Sequence, residues 1–298
     1  MSHFSTRLTE AVHTTGTPLC MGIDPHLSMM PALFGDVSDP GSDATIRAIE
    51  DFTMACLEAA KGRVAAIKPQ AAFFEAQGHA GMRVLAALGH AAVEAGMLVI
   101  MDAKRNDIGS TNAAYADAWI GHDAPFPSDA LTVNAFLGMD TLEPLLARAD
   151  ATGSGLFVLT RTSNPGAGAI QDLDVGGKPL FHRLAEQLAP LAAARCDPRG
   201  GSSLGIVAGA TWPDEARALR DILPSSPFLV PGFGAQGAGA ADALAGLRQT
   251  DAGWEGGLIN STRGLIFPKA AAEAASISAW RTTIDDAIET SRAALASR

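Results

Sequence analysis

The segment MDAKRNDIGST (101–111) carries the densest set of polar residues at the end of any apolar run in the chain. On an extended backbone Asp102 and Lys104 are two apart and point to the same face. Asp107 follows three residues beyond Lys104, in the loop. Two carboxylates beside an amine hold its proton on and offset the cost of partial burial. Such a lysine is a general acid, able to deliver a proton to a carbanion. It is poorly suited to Schiff-base chemistry, which needs a neutral amine. The plainer alternative is an ion-pair cluster at a strand end, since structural networks also perturb pKa values.

PGFGAQG (231–237) and NSTRG (260–264) form a second pair of segments. Their glycines let backbone N–H groups turn inward as an anion nest. Gln236 can donate an amide N–H, and Arg263 can make a bidentate contact to phosphate oxygens. Taken singly, each glycine could serve only a tight turn. Three further positions are ambiguous by themselves. Lys68 in IKPQ could be a snorkelling surface lysine, Asp24 before Pro25 could close a turn, and Ser163 with Asn164 could be ordinary loop residues. The seven histidines are scattered, without HExxH or triad spacing. Cys20, Cys56 and Cys196 show no CxxC and no zinc spacing. No metal site and no cofactor motif is read from the sequence.

Positioning these residues requires strands whose ends converge. Apolar runs rich in Val, Ile and Leu at 18–24, 64–69, 98–104, 130–136, 155–161, 203–209, 228–234 and 256–264 read as buried parallel strands. Helical patterns alternate with them at 43–60, 74–95, 111–121, 139–149, 179–195, 213–222, 239–249 and 269–295. Eight of each is the count of a (β/α)8 TIM barrel, here with an extra N-terminal helix at 3–14. A doubly wound sheet is the alternative, but GIDPHL (22–27) is not its Gly-rich fingerprint. No segment reads as an interdomain linker, so residues 1–298 are expected to form a single domain. In a barrel the site lies at the C-terminal strand ends. Asp24, Lys68, Asp102, Lys104, Asn134, Arg161, Thr162, Ser163, Gln236, Ser261, Thr262 and Arg263 all fall there. The Gly-rich stretch 162–178 after the fifth strand is a lid candidate.

Composition narrows the class of function. Of 298 residues, 47% are hydrophobic, so a large core is available. Twenty-two basic against 32 acidic residues give a net charge of -10. A chain so acidic repels polyanions, which argues against a nucleic-acid or anionic-membrane binder. The N-terminal MSHFSTRLTE has no apolar signal core, and runs such as LVIM (98–101) fall far short of a membrane span. The odd, dispersed cysteines fit a reducing compartment. A cytoplasmic enzyme is expected.

DAKRNDIGST resembles the Asp-x-Lys-x-x-Asp signature of orotidine 5'-phosphate decarboxylases. GIDP, AIKPQ, TSNPG, PGFGAQG and NSTRG follow the family's order around it, from residue 22 to residue 264. The resemblance is strongest to the longer bacterial branch. It implies cofactor-independent decarboxylation of orotidine 5'-monophosphate to UMP, the last step of de novo UMP biosynthesis. Under it, Lys104 protonates C6 after CO2 leaves, and Asp102 sits beside the departing carboxylate. Lys68 and Asp24 bind ribose hydroxyls and complete the charged network. Ser163 bonds the pyrimidine, while Gln236 and Arg263 grip the 5'-phosphate, with Pro231, Gly234 and Gly264 shaping that pocket. A homodimer is implied, in which Asp107 and Thr111 reach the partner's site. One departure is visible: small residues follow Gln236 where some members place a tyrosine.

Related sugar-phosphate lyases and synthases share Asp-x-Lys-x-x-Asp, so a metal-dependent enzyme of that kind is one alternative. A Schiff-base aldolase using Lys68 or Lys104 and a catalytically silent phosphate-binding barrel are two others. Direct loss of CO2 leaves a C6 carbanion with no carbonyl to spread its charge. The implied reaction must therefore be accelerated by electrostatics and positioning.

Overall fold

The structure is a computed structural model, and it describes residues 2–234 and 237–296. Its strands are β1 (Leu19–Ile23), β2 (Ala66–Pro69), β3 (Leu98–Arg105), β4 (Ala130–Val133), β5 (Gly155–Arg161), β6 (Leu204–Ala208), β7 (Phe228–Pro231), β8 (Arg248–Thr250), β9 (Gly253–Glu255) and β10 (Gly257–Ser261). Eight of them close a parallel barrel in the order β1-β10-β7-β6-β5-β4-β3-β2. Helices cover its outside, so the chain has the expected (β/α)8 architecture.

The apolar runs look continuous because both strand faces are buried, yet their side chains still alternate. Leu19, Met21, Ile67, Val99, Met101, Leu131, Leu156, Ile206, Val230 and Ile259 pack outward in the core shared with the helices. Cys20, Ala66, Leu98, Ile100, Ala130, Phe157, Val207, Leu229 and Leu258 fill the barrel interior. The same parity carries the inward set on, two residues at a time, to Lys68, Asp102, Thr132 and Asn260. Along this inward face the sequence switches from apolar to polar towards the C-terminal strand ends.

The opposite end is closed by α1 (Phe4–Thr15), within a residue of the expected helix 3–14. Phe4, Leu8 and Val12 belong to the interior cluster. The Phe4 ring stands edge-on to Phe157 at 5.9 Å between centroids. Gly155 makes the seat, because a Cβ there would lie 2.4 Å from Phe4 Cδ1. Ser5 and Thr6 donate to Asp197 Oδ2 at 2.8 and 2.6 Å, and Arg7 pairs with Asp129 at 2.7 Å.

The elements depart from expectation in three places. The helix expected over 74–95 is split into Ala71–Glu75 and Gly78–Glu94, where Gly78 turns left-handed at φ +66°. The pattern over 269–295 divides into Lys269–Ala272 and Ile277–Ala296, the second begun by Ser276, whose hydroxyl accepts from the Ala279 N–H. In place of a helix over 239–249, a short one (Ala240–Leu244) leads into the antiparallel β8–β9 hairpin. That hairpin turns through Gly253 at φ +120°. Among the described residues no helix is long and apolar enough to cross a membrane.

Phe4→Ala empties a closed aromatic seat and is expected to cost about 3–5 kcal/mol, measured as a lower free energy of unfolding in urea. An unchanged midpoint would mean that α1 does not stabilise the barrel.

Candidate active site

A cavity of about 780 Å³ opens at the C-terminal ends of the barrel strands. Its wall includes Asp24 after β1, Lys68 of β2, Asp102 and Lys104 of β3, and Thr132 of β4. Ser163 after β5, Pro231 of β7, Asn260 of β10 and the following Thr262 and Arg263 complete the ring. Gly22 leaves room on one side, since a Cβ there would fall 1.8 Å from Thr262 Oγ1 and 3.3 Å from Asn260 Oδ1.

Asp102 is the hub. Its Oδ2 accepts from Lys68 Nζ at 2.6 Å and Gln70 Nε2 at 3.0 Å. Its Oδ1 accepts from Lys104 Nζ at 2.5 Å and Thr132 Oγ1 at 3.0 Å. Four donors occupy the four acceptor positions a carboxylate offers. Burial works to raise the Asp102 carboxyl, but the Lys68 and Lys104 charges prevail and hold it well below the usual carboxylate range. Burial likewise works against the Lys68 charge, and Asp102 and then Asp24 outweigh it, so the amine stays protonated above its ordinary range. Lys68 is 4% exposed and is therefore no snorkelling surface lysine. Asp24 is raised by its own burial, with Lys68 opposing. Among the described residues its buried Oδ1 has no hydrogen-bond partner, and neither does Asn260 Oδ1. Beneath them, burial pushes the Cys20 thiol up to about 12, which leaves it protonated and without nucleophilic character.

Lys104 differs from Lys68 in two respects. Its side chain is 46% exposed, and its backbone has φ +51°, the one positive value at a non-glycine among the described residues. The β3–β4 register passes from Met101↔Leu131 to Arg105↔Val133, so four steps on one strand face two on the other. This bulge re-aims the end of β3. Asp102 and Lys104 do meet, as their spacing predicts, but through this bulge and not through plain strand alternation.

The expectation that Asp107 flanks Lys104 is corrected within the chain. Among the described residues Lys104 Nζ meets Asp102 alone, and the carboxylate lies between two amines rather than the amine between two carboxylates. Past the bulge the chain turns away: the Asp107 N–H donates to Asn112 Oδ1, and the Asp107 carboxylate accepts from the Ile108 N–H. Neither Asp107 nor the exposed Thr111 borders the cavity. Asn134 faces away and accepts from the Phe136 N–H. Arg263 is exposed at the cavity rim, begins the short helix Arg263–Ile266, and has no ion pair among the described residues. Gly264 lies in that helix, outside the cavity wall. Gln236 lies outside the described residues, in the sequence between Gly234 at φ +76° and Gly237 at φ +90°. Gln70, Thr132 and Asn260 escaped the sequence reading. The signal for each was a polar residue at inward parity in an otherwise apolar strand.

The segment after β5 is fastened to the barrel. It forms two short turns, Pro165–Ala167 and Gly168–Gln171. The Arg161 side chain, 2% exposed, pairs with Asp172 at 3.0 Å and stacks 4.1 Å above the Trp212 ring. Trp212 Nε1 donates to the Thr162 carbonyl, and Gln171 bridges the Thr162 N–H and hydroxyl.

With this geometry in place, comparison with known proteins gives a consistent result. The family model described as Orotidine 5'-phosphate decarboxylase / HUMPS family matches residues 17–276. An orotidine 5'-phosphate decarboxylase of Rhodopirellula baltica is 43% identical over 292 residues, covering 95% of this chain and 96% of its own. The enzyme of that name from Streptomyces coelicolor is 44% identical over 243 residues, covering 81% of this chain and 83% of its own. The solved structure of Leishmania donovani OMP decarboxylase superposes with a TM-score of 0.71 at 32% identity, covering 99% of this chain and all of that one.

Asp102→Asn leaves buried Lys68 with Asp24 alone to answer its charge, and is expected to cost about 3–5 kcal/mol of stability. Lys68→Met combined with Asp102→Leu is expected to recover most of that loss. The folded Asp102 carboxyl titrates below its unfolded value, so its contribution is complete above about pH 4 and fades as pH falls through the folded value. Lys68 is the reverse: its contribution is complete below about pH 10 and fades as pH rises through the folded value. Urea titrations from acid to neutral pH check this. A wild type no more acid-sensitive than the double variant would contradict it.

Proposed function

The chain belongs to the orotidine 5'-phosphate decarboxylase / HUMPS family, and from that premise we propose that its cavity carries out the decarboxylation of orotidine 5'-monophosphate to UMP and CO2, the last step of de novo UMP biosynthesis, without a cofactor. The observation that carries this reading is a charged lysine, Lys104, held on Asp102 at 2.5 Å in the wall of the cavity.

The bond from C6 to the carboxyl carbon breaks heterolytically, CO2 departs, and the electron pair stays on C6. Nothing in the pyrimidine delocalises it, so the barrier falls only if charge of opposite sign is already in place. Lys104 Nζ supplies that charge and then its proton, completing the C6–H bond of UMP. Asp102 keeps Nζ aimed and lies beside the departing carboxylate; its repulsion in the bound state adds a smaller contribution. The network cannot easily neutralise itself, because Asp102 ionises below the usual range. Asp24 and Lys68 take the ribose hydroxyls, and the unpartnered Asp24 Oδ1 is an acceptor suited to such a donor. Ser163 meets the pyrimidine. Arg263 and Gln236 hold the 5'-phosphate, with Pro231 and Gly264 giving that end its shape. Phosphate binding remote from C6 supplies free energy for closing and drying the site.

We further read the molecule as a homodimer in the cytoplasm, each chain one barrel over residues 1–298. Asp107 and Thr111 point away from their own cavity and are assigned to the partner's. Exposed large apolar side chains support a covered face: Ile108, next to Asp107 in sequence, is 63% exposed, and Phe136 and Leu137, in the loop after β4, are 81% and 51% exposed.

Purified protein without added metal is expected to bleach the near-ultraviolet absorbance of orotidine 5'-monophosphate as UMP forms. Lys104→Ala should lower turnover by about 10^4-fold or more, and Arg263→Ala should lower kcat/KM by about 10–100-fold. Activity abolished by a chelator would favour the metal-dependent alternative. Subunit sharing has its own test. Lys104→Ala and Asp107→Ala chains, each inactive alone, should on mixing regain about a quarter of wild-type activity, because half the dimers then hold one intact site. No recovery would place Asp107 outside the neighbour's site.

A further inference from the structure

We propose that Thr132 is a positioning residue for proton delivery, acting through Lys104 and Asp102 rather than on the substrate; the catalytic part of this claim rests on the function proposed above. Between Met101 and Arg105 the β3–β4 ladder loses its register, so the backbone there lacks its usual cross-strand partners. At this gap the Thr132 hydroxyl accepts the Lys104 N–H at 3.0 Å and donates to Asp102 Oδ1 at 3.0 Å. One side-chain oxygen thus replaces a missing ladder bond and orients the carboxylate that holds Nζ.

Both ends of Lys104 therefore refer back to Thr132: its main chain directly, its ammonium through Asp102 Oδ1 at 2.5 Å. A non-glycine residue at φ +51° persists only where its surroundings over-determine it. Thr132 supplies that determination. It is 1% exposed and fixed in the inward face of β4, a more rigid mount than a loop. Its single proton is spent on Asp102, so it has none to give a ligand.

The test pairs Thr132→Val with Thr132→Ser. Valine keeps the branched shape but leaves the Lys104 N–H and one Asp102 lone pair unmet; serine keeps the hydroxyl and loses a methyl. For valine, kcat on orotidine 5'-monophosphate should fall by about 10–100-fold while KM and the Kd for UMP change by less than about threefold. Serine should restore kcat to within about threefold of wild type. A crystal structure of Thr132→Val should show residue 104 relaxed to negative φ. A purely structural role would lower the melting temperature of both variants without this kcat-specific split. Wild-type kcat in Thr132→Val, or a serine variant no better than valine, would overturn the positioning role. Retention of the positive φ in Thr132→Val would overturn it on structural grounds, independently of any turnover. A wild type inactive on this nucleotide would instead overturn the function on which the catalytic part rests.

Discussion

A carboxylate sunk into a protein must have its charge answered and its lone pairs filled, or it takes up a proton. Asp102 meets both demands with Lys68, Gln70, Lys104 and Thr132, drawn from three adjacent strands. This sets what the rest of the barrel must do. Strands β2, β3 and β4 must keep their register so that the inward positions fall level, and the closed sheet provides that. The end of β3 must swell by two residues to bring Lys104 round, and β4 must supply a hydroxyl where the ladder opens. The packing below the site is apolar and close, so from that side Lys68 and Asp102 have only each other to answer their charges.

Much of this was legible in the residues. Val, Ile and Leu runs spaced by amphipathic stretches specify parallel strands with crossovers, and their inward parity points to Lys68 and Asp102 together. What stayed hidden has physical reasons. Lys68 reads equally well as a surface lysine until its neighbours on β1 and β3 are known, because its burial is a property of the closed barrel. Thr132 and Gln70 are single polar residues whose importance comes from partners 28 to 32 positions distant in sequence; inward parity marks their place but not those partners. The bulge at Lys104 leaves no trace in hydrophobic period. The β8–β9 hairpin was absorbed into a helical pattern because Ala-rich sequence continues almost to its first strand. Asp107 could be placed beside Lys104 by spacing alone, yet spacing says nothing of the direction in which the chain leaves a bulge.

The two most buried cations near the site illustrate different uses of charge. Arg161 is set between the Trp212 face and Asp172, with Phe181 at 5.2 Å on its other flank, and it ties a loop to the frame. Its planar, permanently charged group suits that task. Lys68 is a point charge locked to a single hub, and the cavity reaches it. A lysine in place of Arg161 would lose the stacking, because an ammonium cannot spread across an indole.

The helix that stoppers the barrel has a consequence for traffic. With Phe4, Leu8 and Val12 filling the base, the reaction chamber is a blind well with one doorway. A nucleotide cannot enter at one end and leave at the other; the spent molecule must back out through the same mouth that admitted it. Each arrival waits on the preceding departure.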